Sequence, residues 1–404
     1  MNSLMKRYFV VWPLLLCCRQ ATAPDNLFSA EPGGTIARPA EITPADVRPH
    51  IEYLASRALQ GRGARPGKLL AAEYIRNKFE QIGLRPLFFG GGFYQSIPGP
   101  RVKSGEMEEL GRNVGGWLPG SDLQQEFIIL SAHYDHLGAE GNIYYPGADD
   151  NASSVAMLLE VARQFAAGKP PRRSLAFVSF DLEERLLWGS RWFVAHPPWP
   201  LPQVKLFITA DLIGRSLGNL PLSTIFVMGS EQALGLKDLI ERTPAPPGLH
   251  VARLGVDLVG TRSDYGPFRS EKIPFLFFSS GEHPDYHTPD DTAERIDFPQ
   301  VARVSNLIRQ VCAQAADADS TPRWTDAPEH EIDEVRTIHH ITELLLARDD
   351  ADKAARRPGL SNLQRFTVSN IKTQLGRTLE RGTITAADRP SLVRSAQLLL
   401  LTAF

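Results

Sequence analysis

A His-x-Asp triplet at 133–135, an Asp-Asp pair at 149–150, a Glu-Glu pair at 183–184, Asp211 and His287 are the residues here best suited to chemistry. Each has an ordinary explanation when taken alone. Asp150 or Asn151 could cap a helix starting near Ala152, YPGADDNASS could be a solvated turn, and Glu183-Glu184 could be a solvated loop pair. Together they are imidazoles and carboxylates, the donors that suit zinc or another divalent cation. They also share a position. His133 and Asp135 follow FIIL, Glu183 and Glu184 follow LAFVSFDL, Asp211 follows FITA, and His287 stands beyond PFLFF. Open α/β sheets bind ligands at the carboxyl ends of their strands.

The elements that must position these residues follow from periodicity. EFIILSAHYD (126–135), SLAFVSFDLEE (174–184), KLFITADLIG (205–214), STIFVMGS (223–230) and IPFLFFSSG (273–281) each predict a strand. Helical stretches such as ASSVAMLLEVARQFAAG join several of them. The unbroken apolar character of FIIL, LAFVSF and PFLFF suits strands covered on both faces. VRPHIEYLAS and GKLLAAEYIRNKFEQIGLRP predict helices, and in the second Ala71, Ile75, Phe79 and Ile82 recur at helical spacing before Gly83 and Pro86 end it. The alternation predicts an α/β three-layer sandwich with a largely parallel central sheet covered by helices. From about residue 320 the sequence is polar and strongly helical to Phe404, with Gly359 and Gly382 as breaks. The expected division is a signal peptide at 1–23, a linker at 24–42, a catalytic domain at 43–319, and a helical C-terminal extension at 320–404 whose default role is packing.

Composition narrows the function. Hydrophobic content of 43% and charged content of 22% belong to a soluble globular protein. A formal net charge of −2 advertises neither nucleic acid nor an anionic membrane as partner. Three cysteines cannot make a disulfide framework, and Cys312 reads as a buried core residue. Lys6 and Arg7 precede an apolar run at 8–16 that is too short to span a bilayer, the shape of a secretory signal. Ala21-Thr22-Ala23 resembles a cleavage site, with Pro24 unfavourable just after it. LLLCC resembles a lipoprotein box except that Leu16 stands where a small residue is expected. The expectation is an exported protein, periplasmic, secreted or lipid-anchored at the cell envelope.

SAHYDHLG, YPGADDNAS, FDLEERLLWGS, ADLIGR, RSDYGPF and YHTPDDT occur in that order within residues 50–315. In these motifs the chain resembles the co-catalytic di-zinc aminopeptidase family, the group of bacterial leucyl aminopeptidases, aminopeptidase Y and glutamate carboxypeptidase. The resemblance implies a mixed sheet sandwiched between helices, phosphorylase/hydrolase-like, and two Zn2+ ions, with other divalent metals as substitutes. Position by position, His133 and Asp211 would hold one zinc, Glu184 and His287 the other, and Asp150 would bridge them. A cis peptide would follow Asp150, and Asp149 would support the turn. Asp135 would orient His133 and Asp291 would orient His287. Tyr286 is either a substrate-binding or a packing tyrosine. Glu183 would be the general base, taking a proton from the metal-activated water and passing it to the leaving amine.

The resemblance thus implies an aminopeptidase hydrolysing N-terminal peptide bonds. A carboxypeptidase or dipeptidase, a glutaminyl cyclase, and a metal-free binding module are alternatives on the same scaffold. Arginines facing the substrate would favour a carboxylate, and Arg215 and Arg262 lie near the right motifs. Ser154, Leu186 and Tyr265 depart from the family's usual Gly, Gly and His. HEIDE at 330–334 lacks the second histidine of a zinc-protease helix and reads as a solvated helical face. His339 and His340 are consecutive on a predicted helix and point apart.

Overall fold

The apolar runs become strands of a nine-stranded sheet. In chain order these are β1 (Arg85–Pro86), β2 (Tyr94–Arg101), β3 (Met107–Leu118), β4 (Leu123–His133), β5 (Arg173–Phe180), β6 (Val204–Ala210), β7 (Thr224–Met228), β8 (His250–Leu254) and β9 (Phe275–Ser279). Their spatial order is β1-β3-β5-β4-β6-β9-β7-β8, with β2 also paired to β3. The centre is parallel, β4 lying between β5 and β6, and β6 pairing with β9. The antiparallel β9–β7 and β3–β5 pairs make the sheet mixed. This is a computed structural model. It describes residues 41–101 and 107–403, all of which fall in one compact unit. The expected signal peptide and nearly all of the linker lie outside the described residues.

The helices are α1 (Pro44–Leu54), α2 (Gly67–Gln81), α3 (Ser154–Ala166), α4 (Trp188–Ala195), α5 (Leu236–Arg242), α6 (Tyr265–Ser270), α7 (Phe298–Asp317), α8 (Ile332–Ala354), α9 (Asn362–Arg381) and α10 (Arg389–Ala403). Side chains alternate across a strand, so each strand feeds two cores. Ile128, Leu130, Leu276 and Phe278 face α1, α2, α3, α5 and α7. Phe127, Ile129, Phe275 and Phe277 face the other way, into a core shared with α4, α6 and α8–α10. The continuous apolar strands are therefore covered on both sides, as a three-layer sandwich requires.

The C-terminal extension is part of this body. Phe226 and Leu254 on β7 and β8 share a core with Ile338, Ile341, Val368 and Leu399. Fully burying one such large apolar side chain is worth about 1.5–3 kcal/mol, so the extension contributes to the stability of the sheet's second core. Ser361 and Gln364 form a capping box at the start of α9, and Gly382, at φ +71°, ends it. HEIDE is not the solvated face expected from sequence. Glu334 is only 4% exposed and forms an ion pair with Arg389 of α10, because α8 turns this residue toward the sheet rather than toward water. Cys312 is buried in α7, and burial pushes its thiol up to about 12. Among the described residues no helix is long and apolar enough to cross a membrane.

Candidate metal centre

Four strand ends and one turn deliver the polar residues. β4 ends on His133, and β6 is followed at once by Asp211. After β5 the chain makes a turn in which Leu182, Leu186 and Leu187 all have φ near +60° (59°, 61° and 60°), presenting Glu183 and Glu184 between them. Leu186 is the residue standing where the family usually has Gly, so an exposed leucine here adopts a conformation that favours glycine. His287 follows β9 at φ 56°. Residues 148–153 form an irregular helical turn containing a cis Asp150–Asn151 bond, and α3 begins only at Ser154. Asp150 is consequently not the cap of α3. Its carboxylate faces the imidazoles.

The donor atoms fall into two groups that share Asp150. His133 Nε2 lies 3.4 Å from Asp150 Oδ1 and 3.4 Å from Asp211 Oδ1. His287 Nε2 lies 3.0 Å from Asp150 Oδ2 and 3.3 Å from Glu184 Oε2. A third imidazole joins the second group: His136 Nδ1 is 2.9 Å from Glu184 Oε1 and 3.6 Å from Asp150 Oδ2. Sequence reasoning did not single out His136, although SAHYDHLG contains it. A histidine three residues beyond a strand-end histidine carries no periodic signal, and only the turn after β4 brings it back.

Electrostatically the cluster is rich in acid. Burial, opposed by His133 and reinforced by Asp211, Asp264 and Glu184, holds the Glu183 carboxyl well above the usual range. Burial also lifts Asp264 to about 7, with Asp135 and Asp211 adding to the rise. For His287, the cost of burial is outweighed by Asp150 and Glu184, which raise the imidazole to about 10. Beneath the cluster lies Arg62, fully buried and likewise unforeseen. Its guanidinium donates to the carbonyl oxygens of Tyr134 (2.7 Å), Pro146 (2.7 Å) and Gly147 (2.9 Å), tying together the loops that carry the donors. Burial brings it down only to about 10, because Asp150, Asp291, Asp135 and Glu184 support its charge.

The supporting residues divide. The Asp135 carbonyl oxygen lies 3.2 Å from His133 Nδ1, nearer than its carboxylate at 3.7 Å, and that carboxylate accepts a hydrogen bond from the Glu183 amide at 3.0 Å. Asp135 thus links the imidazole to the Glu183 turn. Asp291 does not meet the His287 ring as expected. It accepts hydrogen bonds from the Asp149 and Asp150 amides (3.0–3.1 Å), since the turn folds it under the 149–150 backbone. Asp149 accepts the Gly214 amide at 2.6 Å. Tyr286 stacks on His287 with ring centroids 3.9 Å apart. Tyr265 is buried, stacks on Phe275, and donates its hydroxyl to the Gly260 carbonyl, which fixes the loop ahead of α6. Ser154 is buried at the start of α3.

Orphaned atoms test whether the cluster suits a cation. His287 Nε2 has two carboxylates close by, yet it makes no hydrogen bond with either, and His136 Nε2 is likewise buried without a partner. A ring nitrogen held near carboxylate oxygens but not aimed at them converges with them on a third point. Donors about 2.0–2.1 Å from a tetrahedral ion sit about 3.3–3.4 Å apart, close to the separations seen here. His133, Asp150 and Asp211 form one such set, and His136, Asp150, Glu184 and His287 the other. The residues fit divalent metal.

Comparison with known proteins points the same way. Aminopeptidase YwaD of Bacillus subtilis is 26% identical over 221 residues, 52% of this chain and 46% of its own length. The chain thus spans less than half of that relative. A glutaminyl-peptide cyclotransferase of Bothrops jararaca is 23% identical over 287 residues, 60% of this chain and 74% of its own. In fold, the chain is similar to BSAP, a zinc aminopeptidase from Bacillus subtilis, with a TM-score of 0.54 at 15% identity over 72% of this chain and 100% of that one. The profile of peptidase family M28 matches residues 113–312, the segment that carries every donor of both groups.

Proposed function

We propose that this chain is an exported di-zinc metallopeptidase that acts as an aminopeptidase. One observation carries the reading: two histidine nitrogens, each held between carboxylate oxygens, share Asp150, with the half-buried Glu183 carboxyl beside them. His133 and Asp211 would hold one ion, Glu184 and His287 the other, Asp150 both, and His136 would add to the second set. Divalent ions at these positions supply polarisation of a carbonyl and a water of lowered pKa. The chain's own residues do the rest. Glu183 accepts the proton of the attacking water at its carboxylate and delivers it to the leaving amine. Asp135, through the Glu183 amide, keeps that carboxylate beside His133.

The charges around the site favour a free amine over a free carboxylate. Arg215 is paired with Asp285 at 2.9 Å and Arg262 with Glu282 at 3.2 Å, while Arg215 Nη1 is buried without a hydrogen-bond partner, a donor that would suit a substrate carboxylate. Likeness to the snake cyclotransferase supports a second reading, cyclisation of N-terminal glutamine at one ion. Export rests on the N-terminal signal shape alone. Metal content of the purified protein, with hydrolysis of free-amine and blocked peptides, tests the proposal. About two zincs per chain and cleavage of free-amine substrates alone are expected. One zinc with glutamine cyclisation supports the second reading, and no bound metal in folded protein sinks both.

A further inference from the structure

Asp211 and Tyr286 do not belong to the metal centre alone. They also line a cavity of about 130 Å³ that is open to solvent at its mouth. Part of its wall comes from turns and strand ends of the sheet, including Leu212, Leu217 and Phe277. The remainder comes from α8 and α10, through Ile341, Ala396 and Leu399. That remainder is supplied by sequence beyond residue 312, where the family match stops.

The chemistry of the lining is one-sided. Leu212, Leu217, Phe277, Ile341 and Leu399 are all buried, and the charged Arg262 and Glu282 at the cavity are paired with each other. Apolar walls of this kind favour apolar groups over polar ones. Its polar end is Asp211, and Leu212, turned to φ 56°, stands immediately after that residue in the cavity wall. A ligand that fits has a polar group at the metal centre and an apolar chain reaching toward α8 and α10. The N-terminal residue of a peptide, its carbonyl at the centre and its side chain in the cavity, is such a ligand.

We propose that the C-terminal extension is the specificity wall of this enzyme: α8 and α10 close a pocket contiguous with the metal centre that selects peptides with a large apolar N-terminal side chain. The proposal rests on the aminopeptidase reading for its substrate. It assigns the extension a role that packing alone does not require.

The test measures selectivity by binding and by turnover in the full metal-loaded chain. Leucinol and alaninol are titrated calorimetrically, and leucyl and alanyl p-nitroanilides are compared by kcat/KM. Leucinol is expected to bind at least about tenfold tighter than alaninol, within the range that added methylenes give in an apolar pocket. Ala396→Phe, which fills the pocket from α10, is expected to reduce that ratio at least tenfold while metal content and melting transition are kept. Leu363→Ala, on the exposed side of α9, is expected to retain it. Equal affinities in the wild type, or an unchanged ratio in a folded Ala396→Phe protein, overturn the wall. Should Ala396→Phe fail to fold, Leu399→Ala is used, and it must alter the ratio too. Absence of all free-amine hydrolysis overturns the aminopeptidase reading, and the leucinol–alaninol ratio still decides the wall.

Discussion

Two clusters of buried charge lie in this molecule, and they are built on opposite principles. At the contact of α10 with the sheet, Arg389 is shared by Glu334 and Asp257. The amides of Gly255 and Glu331 donate to the Glu334 carboxylate. Each acid there meets Arg389 or an amide donor, although His330 Nδ1, 3.5 Å from Glu334 Oε1, makes no hydrogen bond. At the strand ends, Asp150, Glu183, Glu184, Asp211 and Asp264 crowd together, and both Asp264 oxygens, His136 Nε2 and His287 Nε2 lack hydrogen bonds. A satisfied network holds a fold together, whereas like charges left unmatched in a buried site destabilise it. The contrast separates a structural cluster from one whose donor atoms fit divalent metal.

The comparison is broken or sharpened by substitution. Glu183→Gln is expected to lower kcat by about 10²–10⁴-fold, the usual contribution of a general base. Metal content and melting temperature should be maintained, because one of several like charges is removed. A loss of stability would place Glu183 in the structural class. Arg389→Ala should do the reverse. It leaves Glu334 buried and unpaired, at a cost of about 3–5 kcal/mol in chemical denaturation, with metal stoichiometry unchanged in the folded fraction. His136→Ala is expected to weaken metal binding by about 10–100-fold in chelator competition, and an unchanged affinity would make His136 a packing residue.

The two clusters should also respond differently to pH. In chelator-treated protein, His287 has its folded value raised to about 10. Its stabilising share is complete below its unfolded value of about 6.5 and is lost as pH rises through about 10. Asp264, raised to about 7, works in the same direction, its share lost as pH climbs from the ordinary aspartate range to that value. Asp257 is shifted the opposite way: burial raises it, but Arg389 outweighs that and lowers it, so its share is present above about 3.9 and lost only in acid. Melting temperatures of the metal-stripped protein should therefore fall from pH 6 to 10 (a range set by about 6.5 for free His and about 10 for His287). The smallest effect is expected at Leu186→Gly. Relief of a left-handed leucine and the added freedom of glycine oppose each other, leaving a stability change under about 1 kcal/mol.

How much of this was legible beforehand depended on how local each feature is. The strand ends carrying His133, Asp211 and the Glu pair were readable, because each is a run of apolar residues closed by a polar one. β2 and β8 were not, since both lie toward the sheet's margins and carry mixed polarity such as HVARL. A margin strand needs no continuous apolar run. The burial of Glu334 was also hidden, because a helix with charges on all sides does not announce which side meets the sheet.

By itself, then, the sequence determined the α/β class, the strand ends and the set of imidazoles and carboxylates placed there, all properties written within a few residues of one another. Tertiary structure alone decided that His136 joins Glu184, that Arg62 lies beneath the acids, that Asp291 holds the 149–150 amides rather than His287, and that α8 and α10 wall a cavity beside Asp211. Each of these is a meeting of segments far apart in the chain, and such meetings depend on how whole elements pack rather than on the spacing within any one of them.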